Sequence, residues 1–246
     1  MSEKGKDISV SLADFSLALA RLQETETRYC VVGGLAVGQW AEILLPPSLR
    51  KEFPLPVRSK DIDLRAEKSD AMMFVRNLKD AGAKPGIVIK RIPKDGERSF
   101  PSIAVPLTLP ATSSIGGDTP TTIEALSGLP LLDEPGPFGT ILHHGTPLRY
   151  GDIYLLDPCS LLVCKLNALH TRPPGESEND KIHARILSFV IPRFISKALR
   201  RYKDGKDSYH PGKDASRLAS FLRKDPWQGL IPEEERRRVL ESVPPG

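Results

Sequence analysis

The chain has 246 residues, 39% of them hydrophobic and 27% charged, with a formal net charge of +4. This balance excludes a disordered chain and suits one large or two small globular domains with a sizeable core. Cys30, Cys159 and Cys164 lack both a disulfide framework and a zinc spacing, the start MSEKGKDISV has no apolar signal segment, and no uncharged run reaches the ~18 residues of a membrane span, so a cytoplasmic protein is expected.

Residues 11–24 repeat Leu12, Phe15, Leu19 and Leu22 at helical spacing, with Ser11 placed to cap. Tyr29 to Val32 read as a short apolar strand, and 34–44 as a helix with Leu35, Ala36, Trp40 and Ile43 inward. The segment LPPSLRKEFPLPVR holds Pro46, Pro47, Pro54 and Pro56 and is expected to lack regular helix. A second strand carries Asp61 to Leu64, and residues 68–82 form an amphipathic helix stopped by Gly82. Further strands are expected over 86–93, 101–110 and 121–128, with 111–120 as loop and one or two short strands within 139–156. After Asp157 the composition turns helical. Pro158 opens one helix, a long one over 179–203 is interrupted at Pro192, and two short ones span 213–223 and 232–242. The expected class is α+β, with an α/β half over 1–155 and an all-helical half over 156–246.

Two features carry chemistry. The first strand ends in Gly33-Gly34, a turn opening a helix, where phosphates can approach backbone N–H groups at the positive helix end. The second strand carries Asp61 and Asp63. Strand alternation puts both on one face, about 6–7 Å apart along the strand, a spacing at which carboxylates share hard divalent cations. Burying such a pair beside aliphatic Ile62 and Leu64 is costly unless cations or donors compensate it.

These segments, VVGGLAV and RSKDIDL, resemble the nucleotidyltransferase superfamily, and the chain looks most like its AbiEii-type group of minimal nucleotidyltransferases, many of them toxins of toxin–antitoxin pairs. The helical segment DPCSLLVCKLNALHTR with ENDKIHARIL matches that group through Lys165, Arg172 and Asp180. The likeness covers roughly 28–66 and 121–190. It departs from the family in the 27-residue spacing from Gly34 to Asp61, lengthened by the proline-rich segment. The third carboxylate is Glu124 where the family has aspartate, and Asp118 and Asp133 are weaker candidates.

The resemblance implies a nucleotidyltransferase-type mixed sheet with flanking helices and two-metal phosphoryl transfer. Asp61, Asp63 and Glu124 are the implied Mg²⁺ (or Mn²⁺) ligands, with an NTP as substrate. Gly33 and Gly34 admit the phosphates. Lys165 neutralises charge toward pyrophosphate, and Asp180 orients that lysine or the acceptor hydroxyl; both are expected in the cleft of the aspartates. Ser59, two residues before Asp61, either touches a phosphate or caps the strand start. The implied acceptors are RNA (a tRNA end), a protein or a small molecule, with an antitoxin as a further partner and no membrane.

Plainer readings stand beside these. Lys165 on an apolar helix face is also what a snorkelling side chain looks like, and Asp180 what a dipole-favoured helix start looks like. His143 and His144 point to opposite faces of any strand. His170 and His183 read as packing or surface residues. Residues 185–206 hold seven basic side chains against Asp204 alone, either a solvated helix face or a surface for phosphate backbone. The alternatives to an enzyme are a catalytically degenerate nucleotide- or partner-binding module of the same fold, and a nucleic-acid-binding protein of unrelated fold.

Overall fold

The computed structural model describes residues 12–15, 19, 29–55, 57, 61–66, 102–109, 119–126, 129, 132, 148–150, 153–173, 175–206 and 211–244. The elements expected over 68–82 and 86–93 lie outside them, as do Ser11, Ser59, Asp118, Asp133, His143 and His144. The chain divides into two compact units. The first comprises Met1–Leu35, Pro56–Gly128 and Arg149–Leu155, and the second Ala36–Leu55, Leu129–Leu148 and Leu156–Gly246. The architecture is mixed α+β.

Six strands, β1 (Tyr29–Val31), β2 (Asp61–Ala66), β3 (Ser102–Leu109), β4 (Thr119–Leu126), β5 (Leu148–Tyr150) and β6 (Ile153–Leu155), form one sheet in the order β3-β4-β2-β1-β6-β5. The β1–β2 and β3–β4 pairs are antiparallel, while β2–β4 and β1–β6 are parallel. β4 starts at Thr119, two residues before the expected strand, so the loop expected over 111–120 gives up its last two residues to the ladder. Alternation separates the two faces of the central strands. Ile62 pairs with Ile123, and Leu64 with Val31. These four side chains are at most 1% exposed, each contributing about 2 kcal/mol by burial. The other face of β2 carries Asp61, Asp63 and Arg65, all half-buried. The Tyr29 hydroxyl donates to the Leu19 carbonyl at 3.2 Å.

Near the N-terminus, a 3₁₀ turn at Leu12–Phe15 stands where the start of an α-helix is expected. Helix α1 (Gly33–Leu44) begins in the first unit and continues into the second. In the second unit follow α2 (Pro47–Arg50), α3 (Pro158–Thr171), α4 (Glu178–Lys203), α5 (Pro211–Leu222) and α6 (Glu233–Glu241). Two expectations built on proline are corrected. The segment after Leu45 does hold one helical turn: Pro47 sits at its start, where a missing N–H costs nothing, and the Arg50 guanidinium donates to the Leu45 carbonyl at 2.7 Å. Helix α4 runs through Pro192 without a break. Buried Val190, Ile191, Phe194 and Ile195 flank the proline, and their packing outweighs one lost backbone bond. Acidic Glu178 and Asp180 in its first turn and Arg200, Arg201 and Lys203 in its last complement the helix dipole. α4 packs against α3, α5 and α6, and the Trp40 indole of α1 donates to the Leu156 carbonyl at 2.8 Å. Among the described residues, no helix is long and apolar enough to cross a membrane.

Candidate metal centre

The first unit builds its polar site where β1 passes into α1. The ladder extends one residue beyond β1, with the Val32 amide donating to the Asp63 carbonyl at 2.9 Å. Gly33 then takes φ of 68°, a left-handed conformation that costs an L-residue with a side chain about 1–2 kcal/mol. A Cβ built on Gly33 would lie 2.1 Å from Oδ2 of Asp63. The Asp63 carboxylate therefore occupies the volume that any side chain at 33 would need, and glycine is required there on two separate grounds. Gly34 needs no left-handed backbone. Among the described glycines only Gly33, Gly175 and Gly205 have positive φ, so Gly34 is an ordinary helical residue and the turn belongs to Gly33.

Parallel pairing of β2 with β4 sets Asp63 opposite Glu124 and Asp61 opposite Thr122. Asp61, Asp63 and Glu124 each offer one carboxylate oxygen, and these oxygens all lie within 4.8 Å of one another. Ligands of one hard divalent ion sit about 2.0–2.6 Å from it, so their oxygens are separated by no more than roughly twice that distance. The three side chains fit such an ion in donor type, in spacing and in charge. Glu124 joins the two aspartates because the parallel register sets it beside Asp63.

The second unit holds its own charged cluster. Asp180, 2% exposed, accepts from the Lys165 ammonium at 2.8 Å through Oδ1 and from the Arg172 guanidinium at 2.7 Å through Oδ2. Lys165 thus does not snorkel to solvent; its ammonium is engaged by the buried Asp180 carboxylate. One turn further along α4, burial, helped by the Lys165 charge and opposed by Asp180, pushes the His183 imidazole down to about 4. It is neutral at neutral pH, and its Nδ1 is buried with no hydrogen-bond partner.

At the start of α3, Asp157 is a buried N-cap. Its carboxylate accepts from the Ser160 amide at 2.9 Å and from the Ser160 hydroxyl. Burial, with the nearby Asp214 charge adding to it, raises the carboxyl to about 6 against the hydrogen bonds from Ser160 and the Cys159 backbone. Burial and the same two carboxylates push the Cys159 thiol up, which keeps it protonated and unreactive. Cys30 is buried too, while Cys164 is only half-buried.

Comparisons of the chain with protein-family models, with curated proteins and with solved structures find no match. The site therefore rests on its own geometry. Arg65 escaped the sequence reading although it was legible: it follows Asp61 and Asp63 at the same period of two and so shares their face. His183, read as a packing or surface residue, is half-buried beside Lys165 and Asp180, where α3 packs on α4.

Proposed function

We propose that this chain is a metal-dependent nucleotidyltransferase, moving an NMP from an NTP to an acceptor on a nucleotidyltransferase-type sheet. One observation carries the reading: three carboxylate oxygens from β2 and β4 converge within 4.8 Å, and one of those carboxylates is seated against a left-handed glycine that opens a helix. An acidic triad alone is a common surface feature. A triad locked against the start of a helix has both a place for cations and amide donors for phosphate beside it.

In this reading Asp61, Asp63 and Glu124 hold Mg²⁺ or Mn²⁺. When bound, the metal supplies the positive charge that draws the triphosphate in and favours an ionised acceptor hydroxyl. Gly33 keeps the Asp63 carboxylate in place and leaves the backbone open on the side where phosphates would approach. The first amides of α1, which have no partners within the helix, are the donors for phosphate oxygens. By resemblance the acceptor is an RNA such as a tRNA, a protein hydroxyl or a small molecule, and many members of the resembled group are toxins of toxin–antitoxin pairs.

The test is incubation of the full chain with each labelled NTP, Mg²⁺ and either total RNA or a protein extract. Transfer of label that vanishes in Asp63→Ala supports the reading. Tight, metal-dependent NTP binding with no transfer to any acceptor class would replace it with a nucleotide-binding module of the same fold. Absence of both metal and NTP binding would overturn it.

A further inference from the structure

We infer that the exposed face of α4 toward its C-terminal end, carrying Lys197, Arg200, Arg201 and Lys203, is a contact surface for the phosphate backbone of a nucleic acid. The inference stands on the second unit alone and does not depend on the metal centre.

Charge is unevenly spread along α4. Between Asp180 and Asp204 the sequence holds seven basic residues and no acidic one, and the next acids, Asp204 and Asp207, come only after the last turn. The first half of the helix is compensated. Lys181 pairs with Glu178 at 2.6 Å, Arg185 lies 3.8 Å from Glu235, and the Arg193 guanidinium turns back to donate to the Phe189 carbonyl at 2.8 Å. Beyond Arg193 the compensation stops. Lys197, Arg200, Arg201 and Lys203 are exposed, while Ile191, Phe194, Ile195 and Ala198 bury the opposite face. Among the described residues, Lys197, Arg200 and Lys203 form no ion pair, and Asp204 sits 3.3 Å from Lys206 instead. Helix α6 of the same unit is the contrast: its glutamates and arginines interleave, and Arg237 and Arg238 pair with Glu241 and Glu234 one turn away.

The helix dipole explains only part of this. It favours cations in the last turn, which Arg200, Arg201 and Lys203 already fill, whereas Lys197 lies in the turn before. Like charges three or four residues apart on a helix repel, as Lys197 does Arg200 and Arg201, and Arg200 does Lys203. A polyanion relieves that repulsion. The rest of the face selects the kind of polyanion. Lys197, Arg200 and Lys203 follow one another at about 4.5 Å of rise per step on a rigid helix, a row suited to the close, regular charges of a phosphate backbone. A membrane-surface helix would present an apolar face to the bilayer, but the apolar face of α4 is buried in its own unit. A protein partner would need apolar anchors beside the charges, and among the described residues Tyr202 is the one large hydrophobic side chain exposed near the row. Lysine and arginine contacts to phosphates need no such anchors.

The experiment adds a fluorescein-labelled RNA duplex to the full-length protein, without metal or nucleotide, and follows binding by anisotropy from about 50 to 200 mM salt. The wild type is expected to bind with an affinity that falls steeply as salt rises. Lys197→Gln/Arg200→Gln/Lys203→Gln removes three phosphate contacts, so the slope of log affinity against log salt is expected to flatten by about 2–3. Across that salt range the wild type then loses roughly 20–40-fold more affinity than the variant. If the triple variant does not fold, Lys197→Gln alone carries the same test, with an expected flattening of about 0.7–0.9. Lys181→Gln/Arg237→Gln removes two exposed but paired cations and is expected to bind as the wild type does. An unchanged slope in the α4 variants, or no binding by the wild type at low salt, would overturn the inference. An equal flattening in the paired-cation variant would also overturn it, because net charge alone would then account for the binding. Phosphatidylserine vesicles or polyglutamate matching the duplex in affinity would overturn the assignment to nucleic acid. None of these readouts involves metal or NTP binding, so this inference and the nucleotidyltransferase reading fail separately.

Discussion

Gly33→Ala tests the geometry of the metal centre most directly, because two separable penalties meet at that position. The first is backbone strain: φ of 68° costs a residue with a Cβ about 1–2 kcal/mol. The second is steric. The new Cβ would lie 2.1 Å from Asp63 Oδ2, so the carboxylate must leave its place, an overpacking event worth about 1–3 kcal/mol. Together they come to about 3 kcal/mol, or a fall in Tm of roughly 6–12 °C for a chain of this size. The two parts separate in a double-mutant cycle. In an Asp63→Ala background the nearest remaining obstacle is the Cβ of residue 63 at 3.2 Å, which yields to a shift of a few tenths of an ångström. Gly33→Ala should then cost only its strain, about 1–2 kcal/mol, leaving a coupling of roughly 1–2 kcal/mol between the two positions. Urea denaturation of the wild type, both single variants and the double variant measures this. Equal losses from Gly33→Ala in both backgrounds would refute the claim that Asp63 occupies the space above Gly33.

Two further predictions concern the second unit. Asp157 has its folded pKa raised to about 6 from 3.8, so the stability it contributes is fully present below about pH 4 and is lost as pH rises through 6. That shift amounts to about 3 kcal/mol. Asp157→Asn keeps a capping oxygen without the charge, so it should match the wild type near pH 4 and exceed it in denaturation midpoint at pH 7.5; a variant less stable than the wild type at pH 7.5 would contradict this. Asp180→Ala leaves the Lys165 ammonium without its buried partner and is expected to cost about 3 kcal/mol by chemical denaturation. Arg172→Ala should cost under about 1 kcal/mol, since that guanidinium is 54% exposed, and equal losses in the two variants would contradict the assignment of Lys165 as the dominant partner.

Much of this molecule was legible along the chain because its signals are local. Period-two alternation put Asp61 and Asp63 on one face and Ile62 and Leu64 on the other. Pro158 after Asp157 marked the start of α3, where the aspartate caps the helix as its side-chain chemistry dictates. The apolar spacing of α4 was equally plain, yet Pro192 read as an interruption, because the lost hydrogen bond is a local fact and the packing that outweighs it is not. Only the tertiary structure decided what lies between distant segments. Glu124 is 61 positions from Asp63, and along the chain only a resemblance set it beside the aspartates; parallel register across β2 and β4 makes the two direct neighbours. Gly33-Gly34 announces a turn, but which glycine is indispensable depends on a carboxylate 30 residues away resting where one Cβ would stand. Lys165 carries two readings along the chain, a site residue and a snorkelling side chain, until α3 packs on α4 and brings Asp180 to it at 2.8 Å. Backbone propensity and side-chain periodicity act over a few residues and are written in order along the chain. Charge neutralisation and steric exclusion act through space, and they exist only once the strands have found their register.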